Sequence, residues 1–263
     1  MSTLTFALTD SKTMLRRQLR HMQRYVGLTV MLVGMPVVFL LLFAYVFGGT
    51  LGAGLGGASG GRADYINYVV PGIIIMAVAS VAQGTAISVA MDMTEGIIAR
   101  FRTMAIFRPS VLTGHVLGAM IQTALSLVVV IGVALAIGFR PTAGLLEWIA
   151  VVGVLAMVTL AVTWLCVALG LTAKSVETAS NTPMPLMILP FLGSGFVPTD
   201  TMPLALRWFA EYQPFTPIIE TLRGLLMGTP IGNSAALAIA WCVGITVVSF
   251  LWARRTYNRD PVR

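Results

Sequence analysis

Long apolar runs separated by short polar stretches dominate the chain. Residues 26–47 hold 22 positions without a charge. That is long enough for a helix to cross a ~30 Å hydrocarbon core and longer than the ~7–15-residue apolar region of a signal peptide. Comparable runs predict further spans over 66–90, 111–139, 148–171, 179–197 and 234–252, six in all. The second carries Asn67, Pro71 and Gln83. The third holds Gly114-His115-Val116-Leu117-Gly118, a spacing that allows close helix approach, and Gln122. Trp148 opens the fourth at an interfacial position. Pro183, Pro185, Pro190, Gly193 and Gly195 interrupt the fifth and predict a kink.

The segments between the spans are patterned too. Residues 1–25 form an N-terminal cytoplasmic segment whose periodic part, 10–25, reads as an amphipathic helix. Leu15, Leu19, Met22 and Val26 recur at helical spacing, and Arg16, Arg20 and Arg24 make a stripe beside them. Such a helix lies in the headgroup layer; a nucleic-acid arm is the rival reading, but it needs no Leu/Met stripe. Residues 48–61 read as a flexible external loop. Their literal GxGxxG (Gly52, Gly54, Gly57) lacks the preceding strand and following helix of a dinucleotide fingerprint.

Residues 198–228 are too charged to cross and too apolar for a free loop. Asp200, Arg207, Glu211, Glu220 and Arg223 would each cost about 2.5–3.5 kcal/mol at the centre of a membrane helix. A re-entrant helical hairpin in the outer leaflet fits instead. Thr201 and Pro203 start its first helix and Pro214 ends it. Thr216 with Pro217 starts the second, and Gly228 stops it. Glu220 and Arg223, at i and i+3, can pair and are the expected external gate.

Residues 92–108 carry two acids followed by three arginines. Asp92 and Glu95 stand at capping-box spacing, and Arg100, Arg102 and Arg108 follow in the order that complements a helix dipole. The expectation is a short capped helix across the membrane face; a solvated loop is the alternative.

Composition fixes the class. Of 263 residues 57% are hydrophobic and only 10% charged, with mean hydropathy +0.88, against about 25% charged in soluble domains. The reading is an all-α integral membrane protein, a single transmembrane domain over 1–263. Thirteen of the 17 Lys/Arg lie in the N-terminal segment, the 92–108 stretch, the Lys174 loop and the tail 253–263. Arg62, Arg140, Arg207 and Arg223 lie opposite. The positive-inside rule therefore makes both termini and the 92–108 stretch cytoplasmic.

Candidate chemistry is sparse. Cys166 and Cys242, far apart in apolar runs, read as core residues, and His21 and His115 as structural rather than metal ligands. All ten carboxylates fall in loops or at span edges. The spans thus lack the ionisable residue of an ion-coupled carrier and the acid or base of a membrane-embedded hydrolase. Ala173-Lys174-Ser175 is the nearest approach to a Walker A and lacks the glycine before the lysine. The chain reads as no enzyme, binding no cofactor or metal, and uphill transport would need energy from another subunit at the cytoplasmic face. Gln83 and Gln122 either make interhelical hydrogen bonds or mark a possible substrate path.

Over nearly its whole length the chain resembles the permease subunits of ABC-2 type exporters, most closely the daunorubicin/doxorubicin-resistance type. The resemblance rests on Asp92-Met93-Thr94-Glu95-Gly96-Ile97-Ile98 through Arg100-Phe101-Arg102. It also rests on Pro190-Phe191-Leu192-Gly193-Ser194-Gly195-Phe196-Val197-Pro198, Pro214-Phe215-Thr216-Pro217 and the stretch from Glu220 to Gly224. It implies ATPase coupling through Asp92, Glu95, Gly96, Arg100 and Arg102. It also implies two ABC ATPase subunits carrying ATP and Mg, a second permease copy as homodimer, contact with membrane lipid, and a bacterial plasma membrane location. Export of hydrophobic drugs or lipids follows from it; polysaccharide or glycolipid export, or a non-transporting membrane assembly role, are the alternatives. No nucleic acid is expected.

Overall fold

The computed structural model describes residues 3–55, 61–97 and 109–258. Helix α1 (Thr3–Arg24) leads into α2 (Val26–Leu42), which passes through a wider π turn (Phe43–Phe47) into α3 (Gly48–Leu55). Then follow α4 (Arg62–Thr94), α5 (Pro109–Ala136), α6 (Leu145–Thr172), and the short α7 (Val176–Asn181) and α8 (Met184–Ile188). A 3-10 turn (Thr199–Thr201), α9 (Leu204–Tyr212), α10 (Phe215–Met227) and α11 (Ser234–Asn258) complete the order. No strand occurs among the described residues. Among the described residues, five stretches are long and apolar enough to cross a membrane: Val26–Gly54, Arg62–Thr94, Ser110–Ala136, Leu145–Thr172 and Ser234–Asn258.

These helices are not equivalent. In the most apolar window of α4, 89% of residues are buried, against 17% for α11 and 22% for the first span. Helix α4 is therefore the axis, and the others present apolar faces outward, with Val30, Val128, Val152 and Val248 all more than 60% exposed. Small residues let neighbours approach the axis. A Cβ on Gly72 would lie 2.5 Å from the Gly195 carbonyl oxygen, and one on Gly170 of α6 would lie 2.6 Å from that of Ala86. Cys166 and Cys242 are buried, unbridged core residues.

The predicted fifth span is not one helix. Residues 179–197 are split between α7, α8 and a run of turns. Pro185 and Pro190 supply no amide hydrogen, and Gly193 and Gly195 weaken helix continuation. The broken stretch still tracks α4. The Gln83 amide donates to Ser180 O at 2.7 Å, Gly195 packs on Gly72, and Tyr65 OH donates to Phe196 O at 3.3 Å. From position 83 back to 65, α4 rises about 27 Å. Aromatic rings fill the break: Phe191 stacks on Phe196 with centroids 4.2 Å apart, and Phe43 packs on Phe196 at 4.6 Å.

Three more local expectations are corrected. The stretch 48–61 is helical as far as Leu55, because the first-span helix continues through its glycines; Gly52 then lies against the returning Gly61 backbone. Asp92 and Glu95 do not open a helix. Asp92 lies in the last turns of α4, Glu95 is its C-terminal cap, and Gly96 at φ +71° stops it. An acid three residues from another caps a helix only where the helix starts; here the apolar run simply carries the helix past both. Whether a short helix follows concerns residues 98–108, outside the described residues, as do Arg100, Arg102 and the tail beyond 258. Finally, α10 starts at Phe215 with Pro214 at its cap, ahead of the expected Thr216–Pro217 start; α9 ends at Tyr212, and Gln213 is extended before Pro214, as expected for a helix stopped there. The stop at Gly228 is as expected, left-handed at φ 69° with its N–H on Gly224 O.

The Gly114–Gly118 face is occupied by α1. A Cβ on Gly114 would lie 2.6 Å from Met14 Cβ, and one on Gly118 would collide with the Gln18 side chain. Met14, Val111, Leu112, Trp164, Leu171, Ala253 and Tyr257 share one cluster, so α1 and the end of α11 meet at the same end of the bundle. Gly114→Leu is expected to lower stability by about 1–3 kcal/mol by overpacking this seat. Gly132→Leu on the same helix, where nothing lies within 4 Å, stays within about 0.5 kcal/mol. Thermal unfolding of the detergent-purified variants checks both.

Candidate functional site

At the end of the bundle shared by α1 and the α11 terminus, α4 presents Asp92. It is 4% exposed and the one buried carboxylate among the described residues. Two nitrogen-bearing side chains surround it. Arg17 Nη2 donates to Oδ1 at 2.5 Å, and His115 Nε2 meets Oδ2 at 3.1 Å. Arg17 comes from α1 and His115 from α5, so a single carboxylate joins three helices. The neighbouring turn adds Gln18 Nε2 donating to Ser88 Oγ at 3.3 Å. Leaving such a carboxylate unpaired is costly, so these contacts fix α1 against the exit of α4.

Helix α1 is placed for this by its own sequence. Met14 is buried against the glycine seat, Arg17 and Gln18 turn inward, and Arg16, Arg20 and Arg24 stay exposed. Immediately beyond Asp92, exposed Glu95 and the left-handed Gly96 lead out of the bundle. A Cβ on Gly96 would meet nothing within 4 Å, so it is the positive φ rather than space that favours glycine there.

The opposite end holds the α9–α10 pair. Arg223 is 8% exposed. It donates to Glu220 Oε1 at 2.6 Å, to Ser194 O at 2.6 Å and to Tyr68 O at 3.2 Å, while its guanidinium lies 3.9 Å from the Tyr68 ring centroid. The predicted i, i+3 pair is thus formed, and the same arginine also joins α10 to α4 and to the broken stretch. Helix α10 is buried along most of its length, whereas α9 exposes Leu204, Trp208 and Tyr212. On α9, Arg207 bridges Glu211 at 2.7 Å and Asp200 at 2.9 Å, a hydrogen bond and charges that hold its guanidinium above the ordinary range.

The two glutamines lie apart. Gln83 is engaged by Ser180 O. Gln122 is 8% exposed and borders, with Gln18 and Ser88, a void of about 20 Å³, room for about one water. Sequence reasoning brought Asp92 to notice but missed Arg17 and His115 as its partners. The available signal was His115 between the two seat glycines, with Arg17 one residue before Gln18 on the helix that fills the seat.

Arg17→Ala is expected to destabilise the protein by about 2–3 kcal/mol. This is below the ~3–5 kcal/mol of a fully buried pair, because a third of the Arg17 side chain, 32%, faces solvent. Asp92→Asn added to Arg17→Ala recovers part of the loss by removing the stranded charge. Thermal unfolding tests this, and a double variant no more stable than Arg17→Ala contradicts it.

Comparison with known proteins agrees with this architecture. Residues 9–227 match the family described as ABC-2 type transporter. The chain is 28% identical over 196 residues to the "Daunorubicin resistance ABC transporter permease protein DrrB1" of Streptomyces coeruleorubidus, covering 74% of this chain and 69% of that one. It is 25% identical over 180 residues to the "Probable doxorubicin resistance ABC transporter permease protein DrrC" of Mycobacterium tuberculosis, covering 68% and 65%. A membrane-spanning helical bundle matched to one family from α1 to the end of α10 belongs to that family: the chain is a member of the ABC-2 type transporters.

Proposed function

We propose that the chain is the membrane-spanning subunit of an ATP-driven exporter that moves hydrophobic or amphipathic compounds, drug or lipid, out of the cell. The family match over residues 9–227, with relatives named for daunorubicin and doxorubicin resistance, carries this reading. The chemistry supports it. The one buried carboxylate among the described residues is paired with Arg17 and hydrogen-bonded to His115, so it is not free to couple ion flow to transport. Energy comes from an ABC ATPase, two copies working with two permeases and carrying ATP and Mg.

The end bearing Asp92 faces the cytoplasm, where most arginines lie, and the membrane is the bacterial plasma membrane. The broken stretch from Ser180 to Phe196 is the sixth crossing. Its contacts span about 27 Å of α4, and α1 and the α11 terminus meet at one end of the bundle. Asp92 anchors the coupling segment, and Glu95, Gly96, Arg100 and Arg102 meet the ATPase. At the external end the α9–α10 hairpin dips into the outer leaflet, and Arg223 with Glu220 acts as the outer gate, locked to α4 through Tyr68.

Glu95 separates docking from folding. It is exposed and makes no capping contact that holds the helix start, so Glu95→Ala changes stability by no more than about 0.5 kcal/mol. Its association with the ATPase, read by co-purification from membranes, is expected to fall about fivefold or more. Undiminished association in both Glu95→Ala and Gly96→Val contradicts the docking role.

A further inference from the structure

A cleft of about 870 Å³ lies between α1 and the end of α4, with Arg16, Arg17, Arg20 and Arg24 on one wall and Asp92 and Glu95 on the other. Its charges do not balance. Asp92 takes Arg17, whereas Arg16, Arg20 and Arg24 are exposed and have no ion pair among the described residues. Glu95 alone leaves the row cationic, and the flanking sequence adds no countercharge. Residues 98–108 hold three arginines and no acid, and residues 259–263 hold two arginines and one aspartate. The row repeats once per turn, about 6 Å apart along α1, so neighbouring guanidinium groups can grip one phosphate between them.

The depth of the row identifies what brings that phosphate. Helix α1 runs inward: Met14 meets Gly114 and Arg17 meets Asp92, then Gln18 meets Gly118 and Ser88, a turn further into α5 and α4. Met22 and Tyr25 border the same void as Gly84 and Thr85, deeper again. Arg20 and Arg24 thus lie no further from the hydrocarbon than Asp92 does, and Val26 opens the first span two residues after Arg24. Tyr25 lines the cleft, and below it Val26 and Val30, 56% and 62% exposed, continue the outward apolar face of α2. A phosphate on the row therefore has an apolar surface beneath it for acyl chains. A soluble partner would have to enter the headgroup layer to reach Arg24, and a second copy would bring the same arginines and no countercharge.

We propose that this cleft is a binding site for the headgroup of an anionic phospholipid of the cytoplasmic leaflet, its phosphate held by Arg16, Arg20 and Arg24. The inference rests on the proposed cytoplasmic placement of this end and is independent of what the exporter moves. The row selects among lipids. A phosphatidylcholine carries its own cation beside the phosphate and sets it against the arginines, whereas a phosphatidylglycerol presents only the negative charge and hydroxyls. Because Glu95 shares the cleft, the bound lipid sits beside the segment that leads out towards the ATPase.

The test places a thiol-linked fluorophore on Gln23→Cys, a position that lines the cleft; Cys166 and Cys242 are buried and stay unlabelled. The permease with its co-purifying ATPase is held in phosphatidylcholine discs, and quenching is titrated with phosphatidylglycerol or phosphatidylcholine carrying a nitroxide high on one acyl chain. Phosphatidylglycerol is expected to half-quench at about a tenth of the mole fraction that phosphatidylcholine needs, and Arg20→Gln with Arg24→Gln brings the two within about twofold. These side chains are exposed, so the variant is expected to unfold at the parent's temperature. Arg254→Gln with Arg255→Gln, at the same end but outside the cleft, keeps the preference. Equal quenching by the two lipids in the parent overturns the proposal, as does a preference that survives loss of Arg20 and Arg24. A preference erased equally by the α11 pair means diffuse attraction to the whole face and also overturns it. Erasure by inorganic pyrophosphate at matched ionic strength makes the cleft a soluble-phosphate site, and a preference seen only after the ATPase is stripped makes it a protein-docking surface; either contradicts the proposal. ATPase retained in the same discs keeps the exporter reading separate from any such failure.

Discussion

A helix buried on all sides in a membrane protein must give its polar side chains partners, and α4 finds several of them on the elements packed around it. Asn67 accepts from the Arg140 backbone N–H, Tyr65 donates to the carbonyl of Phe196, and Ser80 donates to Leu32 O of α2. Gln83 reaches Ser180, Ser88 takes Gln18, and Asp92 takes Arg17 and His115. Each bond is modest alone, but an unmade one in a low-dielectric interior costs far more than a made one gains. The side-chain ladder therefore sets the register of the surrounding elements along α4. It explains how the broken stretch 179–197, which is not a continuous helix, still follows α4 in register.

That arrangement gives the proposed function a mechanical form. Asp92 and Arg223 sit near opposite ends of α4, one tied to the segment proposed to meet the ATPase and the other to the hairpin at the far side. In that proposal a displacement imposed at Glu95 and Gly96 is carried by one long helix, with Pro71 in its course, instead of being absorbed by loops.

Much of this was legible in the sequence, and the gaps have physical causes. Apolar length alone located the spans, because few other structures satisfy twenty consecutive backbone groups in lipid. The Gly114–Gly118 seat, the Gly228 stop and the Glu220–Arg223 pair were readable because each depends on residues within one or two turns. Asp92 was misplaced for the opposite reason. Capping-box spacing is a local pattern, but whether an acid caps or sits inside a helix depends on where the preceding helix ends, and its true partners lie 75 and 23 positions away. The break in the predicted fifth span was visible in its prolines and glycines. That it would nonetheless follow α4 depended on Tyr65, Gly72 and Gln83, which no local pattern ties to it.

The central claim is that this chain moves amphipathic molecules only with energy delivered by a partner. Inverted membrane vesicles holding the permease with its co-purified ATPase test it most directly, by accumulation of a fluorescent amphipath after ATP is added. The account predicts accumulation that requires both chains and survives collapse of the proton gradient by an ionophore. Accumulation by the permease alone, driven by a proton gradient and indifferent to ATP, would contradict it.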